Sequence, residues 1–336
     1  MKLRQLLSCA LFLFALFLNT SQSTPALTSQ EKSSQSKISE AEDKALRAVA
    51  AAPDVNAKFA AAEEFLKKFP KSRSRQQVAE YLVDQILGVT EPNQQLALAQ
   101  RFSTVFTGAT EANAVKPVLI DAFLHLDRPD EAFSTGASHL ANNPDDMRIL
   151  SVLAIAGTEQ AKKGNSKYLA VSRQYGAKAI ELFEADKKPA NVSDTFWAKQ
   201  KTLLPQLYQE MAVISLMQQK PAEAQTNLEK AAKLNPADPF TYVLLGSIAN
   251  EEYQKLALAY KTMPNGKEKD DLLPKVTVLL DKVIDQYAHA VGLAEGKPQY
   301  QKLHDQMLQD LESYYKYRHN DSTEGLQKLI AGYKLP

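Results

Sequence analysis

An all-α fold built from stacked antiparallel helical hairpins is predicted by three observations. Glycine is scarce, with 12 in 336 residues. Apolar residues recur at spacings of three and four, the period of a helix, with no convincing run of the two-residue alternation that marks a strand. A Pro-x-Glu-Ala pattern followed by an Asn-Pro pair occurs twice with the same internal spacing.

The chain opens on Met1-Lys2-Leu3-Arg4, and then runs apolar from Leu6 to Leu18, interrupted only by Ser8 and Cys9. Two positive charges ahead of such a run have the form of a signal peptide. The run is 13 residues long, whereas a helix that spans a bilayer takes roughly 20. Small residues at Ser21 and Ser23, or at Thr24 and Ala26, offer cleavage registers at about residues 23 to 26. Cys9 lies near the start of the apolar run rather than after it, so lipidation is the weaker reading. Removal of residues 1–23 takes away the only cysteine and leaves 38 basic against 39 acidic side chains, a formal charge of about −1. That charge makes no case for nucleic acid or for an anionic membrane surface. No later segment is apolar enough to span a bilayer. The expected destination is outside the cytoplasm, periplasmic or secreted.

Residues 24–38, rich in Ser, Thr and Gln, cannot repay the entropy of ordering and read as a disordered tether. Helical order is expected from Ser39, which with Glu42 forms a capping-box pattern ahead of Ala45, Leu46 and Val49. Phe59, Ala62, Phe65, Leu66 and Phe69 line one helical stripe, and Val78, Tyr81, Leu82 and Ile86 the next. In the middle of the chain Asp127-Arg128-Pro129-Asp130-Glu131-Ala132 parallels Gln219-Lys220-Pro221-Ala222-Glu223-Ala224, and each alanine is followed twelve residues later by a proline, Pro144 and Pro236. Proline fits the first turn of a helix because its missing N–H has no intrahelical partner there, and a second proline stops the helix. Each copy is the second half of a hairpin.

These residues resemble the tetratricopeptide repeat family, whose period is about 34 residues. Ala224, Leu228, Ala231 and Pro236 match the small, large, small and proline positions of its second helix, and Tyr242, Leu245 and Gly246 match the aromatic, leucine and small positions of the next first helix. The earlier copy, with Ala132 and Pro144, carries Gly136 and His139 at the large and second small positions. The copies lie 92 residues apart, which is not a whole number of repeats, so longer helices or an insertion are expected between Gln160 and Pro205. A turn is expected at Met263-Pro264-Asn265-Gly266-Lys267. The resemblance implies an α-solenoid over residues 39–271, with 272–336 as a diverged helical cap. The N-terminal hairpins, around AAEEFLKKFPKSRSRQQVAEYL, are similar to those of bacterial cell-envelope assembly proteins.

No HExxH, GxSxG, GxxxxGK[ST], GxGxxG or paired CxxC motif is present. No catalytic, cofactor-binding or metal-binding residues are therefore assigned. Asp285 and His289 share a helix face but lack third and fourth ligands for zinc, so a surface ion pair is expected. Tyr314-Tyr315-Lys316-Tyr317-Arg318-His319 could stack on bases or sugars, yet its spacing fits core packing for some of these rings. Trp197, and the stripe Tyr253, Leu256, Tyr260, read as core. Tetratricopeptide proteins that grip a C-terminal carboxylate place Lys and Asn where this chain has Gln209, Val213, Val243 and Ser247, so that clamp is not expected.

The expectation is a non-catalytic scaffold that holds a partner protein or peptide in a helical groove, with no cofactor. A cell-envelope assembly factor is the narrower alternative. A hydrolase on a helical platform is the alternative of another class, and it needs two carboxyls facing each other roughly 5 to 9.5 Å apart.

Overall fold

The computed structural model describes residues 39–186, 188 and 192–334. The expected signal peptide and tether lie outside the described residues. Within them the fold is all-α, as predicted, with no strand. The chain divides at 149/150 into two compact units.

The N-terminal unit contains α1 (Glu40–Ala51), α2 (Val55–Lys68), α3 (Arg75–Leu87), α4 (Pro92–Val105), α5 (Ala109–His125) and α6 (Pro129–Leu140), and ends in the first turn of α7 (Met147–Lys162). From α1 to α6 consecutive helices pack on one another, and α3 also packs on α5. The two apolar stripes read from the sequence meet here: Phe59, Phe65, Leu82 and Ile86 are fully enclosed with Phe102 and Phe106, whose rings stack at 4.5 Å. Arginines close the edges of this core. Arg75 lies over Phe106 and binds Glu111 through two nitrogens at 2.6 and 3.0 Å, and Arg101 lies over Phe59 and binds Glu63. A planar guanidinium can cover a ring face and hold a carboxylate at once, which ammonium groups do less well.

Ser39 caps α1 through the Glu42 amide at 3.2 Å, but the capping box does not close as expected. The Glu42 carboxylate instead accepts the Ser72 hydroxyl at 2.5 Å, tying α1 to the loop after α2.

The C-terminal unit continues α7 and adds α8 (Leu169–Glu184), α9 (Asp194–Lys201), α10 (Leu204–Met217), α11 (Pro221–Leu234), α12 (Pro239–Thr262), α13 (Lys267–Ala294), α14 (Gln301–Arg318) and α15 (Leu326–Ala331). The short α9 and the 16-residue α7 and α8 supply the excess expected between Gln160 and Pro205. Trp197 anchors α9, with its ring 5.5 Å from Phe183 and its Nε1 donating to Asp186 at 3.0 Å. The turn expected at 263–267 joins α12 to α13. Position 271/272, taken as the start of the cap, falls inside α13, which packs along α12, α14 and α15. The helix runs straight through the expected boundary.

The duplicated motif is duplicated in backbone geometry. Asp127 and Gln219 hold φ at 51° and 59°, and the next residues donate five positions back, Arg128 N to Phe123 O at 2.8 Å and Lys220 N to Ser215 O at 2.9 Å. This is the left-handed helix stop whose bonds satisfy the last carbonyls. The parallel extends one feature beyond the motif read from the sequence. Asp146 and Asp238, each two residues after the Asn-Pro pair, accept the Ile149 and Phe240 amides at 3.1 Å and so cap α7 and α12.

Candidate functional site

Most of the residues read as a repeat signature are enclosed. Ala132, Ala224, Leu228 and Ala231 are fully enclosed, Tyr242 is buried, and Leu245 bridges two apolar clusters. Pro144 and Pro236 lie exposed just after α6 and α11. Gly246 lets two helices touch, since a Cβ there would stand 2.5 Å from the Tyr287 ring. Gly136 and His139 of the earlier copy are buried too, and His139 Nε2 lies 2.8 Å from Asp146 Oδ2.

Several candidate chemical groups are committed to packing. Asp285 and His289 do not form the expected surface ion pair. Asp285 accepts the Tyr333 hydroxyl, while the His289 ring is sandwiched between Tyr242 at 3.5 Å and Tyr333 at 4.2 Å. Burial holds the His289 imidazole below its ordinary pKa, against the pull of Asp285. The apolar stack won because α15 and the residues after it fold back onto α13, which spacing along one helix cannot reveal. At the clamp positions Gln209 donates to Asp238 and to Thr241 at 2.6 Å, Val213 and Val243 are buried, and the Ser247 hydroxyl donates to the Val243 carbonyl at 2.8 Å. These four offer nothing to a carboxylate.

One pair of buried acids is held by a single lysine. Lys162 Nζ lies 2.6 Å from Glu159 and 3.2 Å from Glu210, and all three side chains are largely enclosed. Burial raises the Glu210 carboxyl, with Lys162 pulling it back. A glycosidase pair must face a sugar ring across an open cleft, whereas here an ammonium fills the space between the two.

A group of side chains that reaches solvent lies between α12 and α14. On α12, Val243, Ser247, Asn250 and Gln254 follow at spacings of four, three and four, one stripe of a helix. On α14, Asp310, Tyr314 and Tyr317 do the same. The stripes meet where the Tyr314 hydroxyl donates to Asn250 Oδ1 at 2.8 Å and Gln254 Nε2 donates to the same oxygen at 3.4 Å. The Tyr314 ring stands edge-on to Tyr253 at 6.2 Å and tilted against Tyr287 at 6.0 Å. Burial, with help from the Tyr317 and Tyr314 hydroxyls, pushes Tyr253 up to about 12, and burial likewise raises Tyr287 and Tyr314. Tyr317, on the same stripe of α14, is 72% exposed. The arrangement is a shelf of tyrosines edged by amides.

Its separate residues were visible in the sequence as two stretches, the Tyr253-Leu256-Tyr260 stripe and the run at 314–319. That run splits as its spacing suggested: Tyr315 is core and donates to the Glu324 carbonyl at 2.7 Å, and Arg318 pairs with Asp281 at 2.8 Å. Asn250 and Gln254 carried no signal in the sequence, because two amides on a helix are ordinary until something packs beside them.

Among the described residues no helix is long and apolar enough to cross a membrane, and no group of three His, Cys, Asp or Glu could hold a metal. No protein-family model and no curated protein matches the chain. Among solved structures the chain is similar to two of IFIT1 monomeric mutants, one with Gppp-AAAA and one with m7Gppp-AAAA in the anti conformation of the cap. Identity is 17% and 16%, the TM-score is 0.38 in both, and the match covers 84% of this chain and 56% of each of those. The chain spans little more than half the length of these two structures, and what they hold is a property of IFIT1.

Proposed function

We propose that this is a non-catalytic scaffold, exported to the periplasm or secreted, that holds a partner protein or peptide on the tyrosine shelf between α12 and α14. The observation that carries the reading is the exposed Tyr317 within hydrogen-bonding reach of buried Tyr253, with half-buried Tyr314 and the Asn250 and Gln254 amides alongside. Tyrosine is suited to recognition because it brings a large amphipathic surface with only two side-chain torsions to freeze. Rigid neighbours below it lower that cost further. The amides at its edge can meet the backbone of an extended segment or helix laid along the stripe.

Export rests on the charged head and apolar run of residues 1–18. The absence of a cofactor from the proposal follows from the motifs, and the near-neutral charge argues for a partner recognised by shape and hydrogen bonds rather than by a strong field. A place in cell-envelope assembly is the narrower form of the same reading, motivated by the N-terminal hairpins.

Affinity capture with in-cell crosslinking, using the chain from about residue 24 as bait, tests the proposal. A reproducible protein partner that is lost on Tyr317→Ser supports it. Capture indifferent to Tyr317→Ser would remove the shelf from the account. Envelope machinery among the partners would favour the narrower form.

A further inference from the structure

The turn between α12 and α13 contains an Asn-Gly pair, Asn265-Gly266, and both residues are exposed. α13 begins at Lys267, so the Gly266 N–H precedes the helix, while the Gly266 carbonyl is held by the Lys269 and Asp270 amides at 3.0 and 3.1 Å. Open space surrounds the Gly266 Cα, with nothing within 4 Å of where a Cβ would stand. The Asn265 side chain is not free to solvent alone. Lys269 Nζ donates to Asn265 Oδ1 at 3.2 Å, and that ammonium is itself fixed by the Met263 carbonyl at 3.1 Å and by the Tyr260 ring, 5.1 Å from its centroid.

We infer that Asn265 is a site of spontaneous deamidation, with the Gly266 backbone nitrogen as nucleophile and Lys269 as the cation that activates the amide. The Gly266 nitrogen, losing its proton, bonds to Asn265 Cγ. The Cγ–Nδ2 bond breaks, and ammonia leaves carrying that proton. Water then opens the five-membered imide at either carbonyl, to give aspartate or isoaspartate. Three features of the turn favour these steps. Glycine places no side chain in the path of ring closure and leaves the backbone free to bend. The neighbouring nitrogen is an intramolecular nucleophile, so no encounter is needed. Oxyanion charge develops on Oδ1 as the ring closes, and a positioned ammonium on that atom stabilises it.

The product carries a consequence. A carboxylate appears one residue ahead of the N-cap of α13, beside Lys269, where the positive end of the helix favours a negative charge. The isoaspartate form also adds a methylene to the backbone of the link between the two longest helices among the described residues, of 24 and 28 residues.

The full chain is held at neutral pH and mapped by peptide mass spectrometry, with aspartate and isoaspartate separated. Asn165 serves as internal control, being exposed but followed by Ser166, with its Oδ1 occupied by the Lys167 amide at 3.2 Å. Expected is conversion of Asn265 well ahead of Asn165, slowed severalfold by Lys269→Met and retained by Lys269→Arg. The same chain in denaturant gives the rate of the sequence alone, and the folded chain is expected to exceed it at Asn265. The inference is overturned if folded Asn265 reacts more slowly than the denatured chain, or if Lys269→Met leaves its rate unchanged or raised.

Discussion

Gln219 holds a positive φ of 59° at the stop of α10, and Asp127 holds 51° at the equivalent stop of α5. Side chains other than glycine pay roughly 1 to 2 kcal/mol in this region, less for aspartate, which can bond locally. Gln219→Gly is therefore expected to raise stability by about 0.5 to 1 kcal/mol, and Asp127→Gly by less, as read from denaturant midpoints at constant slope. The two capping aspartates differ in the same instructive way. For Asp146 burial pushes the carboxyl up, but His139, the Ile149 amide and Arg148 outweigh it, so its pKa is lowered. For Asp238 burial prevails over Gln209, the Phe240 amide and Thr241, and its pKa is raised. A lowered folded pKa contributes stability above the unfolded value, near pH 4, that is lost as pH falls through the folded value. Asp146→Asn should cost stability at neutral pH and flatten the acid limb of the curve. Asp238 acts in the opposite sense, favouring the fold as it protonates, so Asp238→Asn should cost less at neutral pH. An Asp146→Asn curve that still falls as steeply in acid would contradict the assignment.

The hairpin of α12 and α13 depends on Gly246, the small position of the repeat signature. A methyl group there meets the Tyr287 ring, itself wedged against Tyr314, so neither partner can give way cheaply. Gly246→Ala is expected to cost about 1 to 3 kcal/mol by overpacking, and a neutral result in thermal unfolding would mean that the helices can slide apart. At this scale the chain was readable in advance wherever one helix carried the information. Periodicity gave the stripes of α2 and α3, proline and asparagine gave the stops of α6 and α11, and Pro264 to Gly266 gave the turn between α12 and α13. What could not be read was which helix covers which. The His289 stack needs Tyr333, 44 positions on, and the shelf needs Tyr314 beside Asn250, 64 positions away. Such partners follow from packing alone. The Asp146 and Asp238 caps were within reach, since both stand two residues after an aligned proline.

For the molecule as a whole, the fold class was carried by the sequence and the function was not. Two compact units, each with its own enclosed apolar cluster, account for stability without a disulfide. Glu159 and Glu210 are tied to Lys162, His289 is stacked between tyrosines while Asp285 accepts from Tyr333, and the clamp positions are filled. Recognition on the tyrosine shelf is what the remaining exposed chemistry supports, and the most direct test of it is contact. A photoreactive phenylalanine analogue placed at Tyr317, in cells making the full chain, should crosslink to a discrete partner protein. The same group at Glu252, exposed on α12 about half a turn round from the Asn250 and Gln254 stripe, should not. Equal labelling from both positions, or none from Tyr317 while Glu252 captures a partner, would contradict the account.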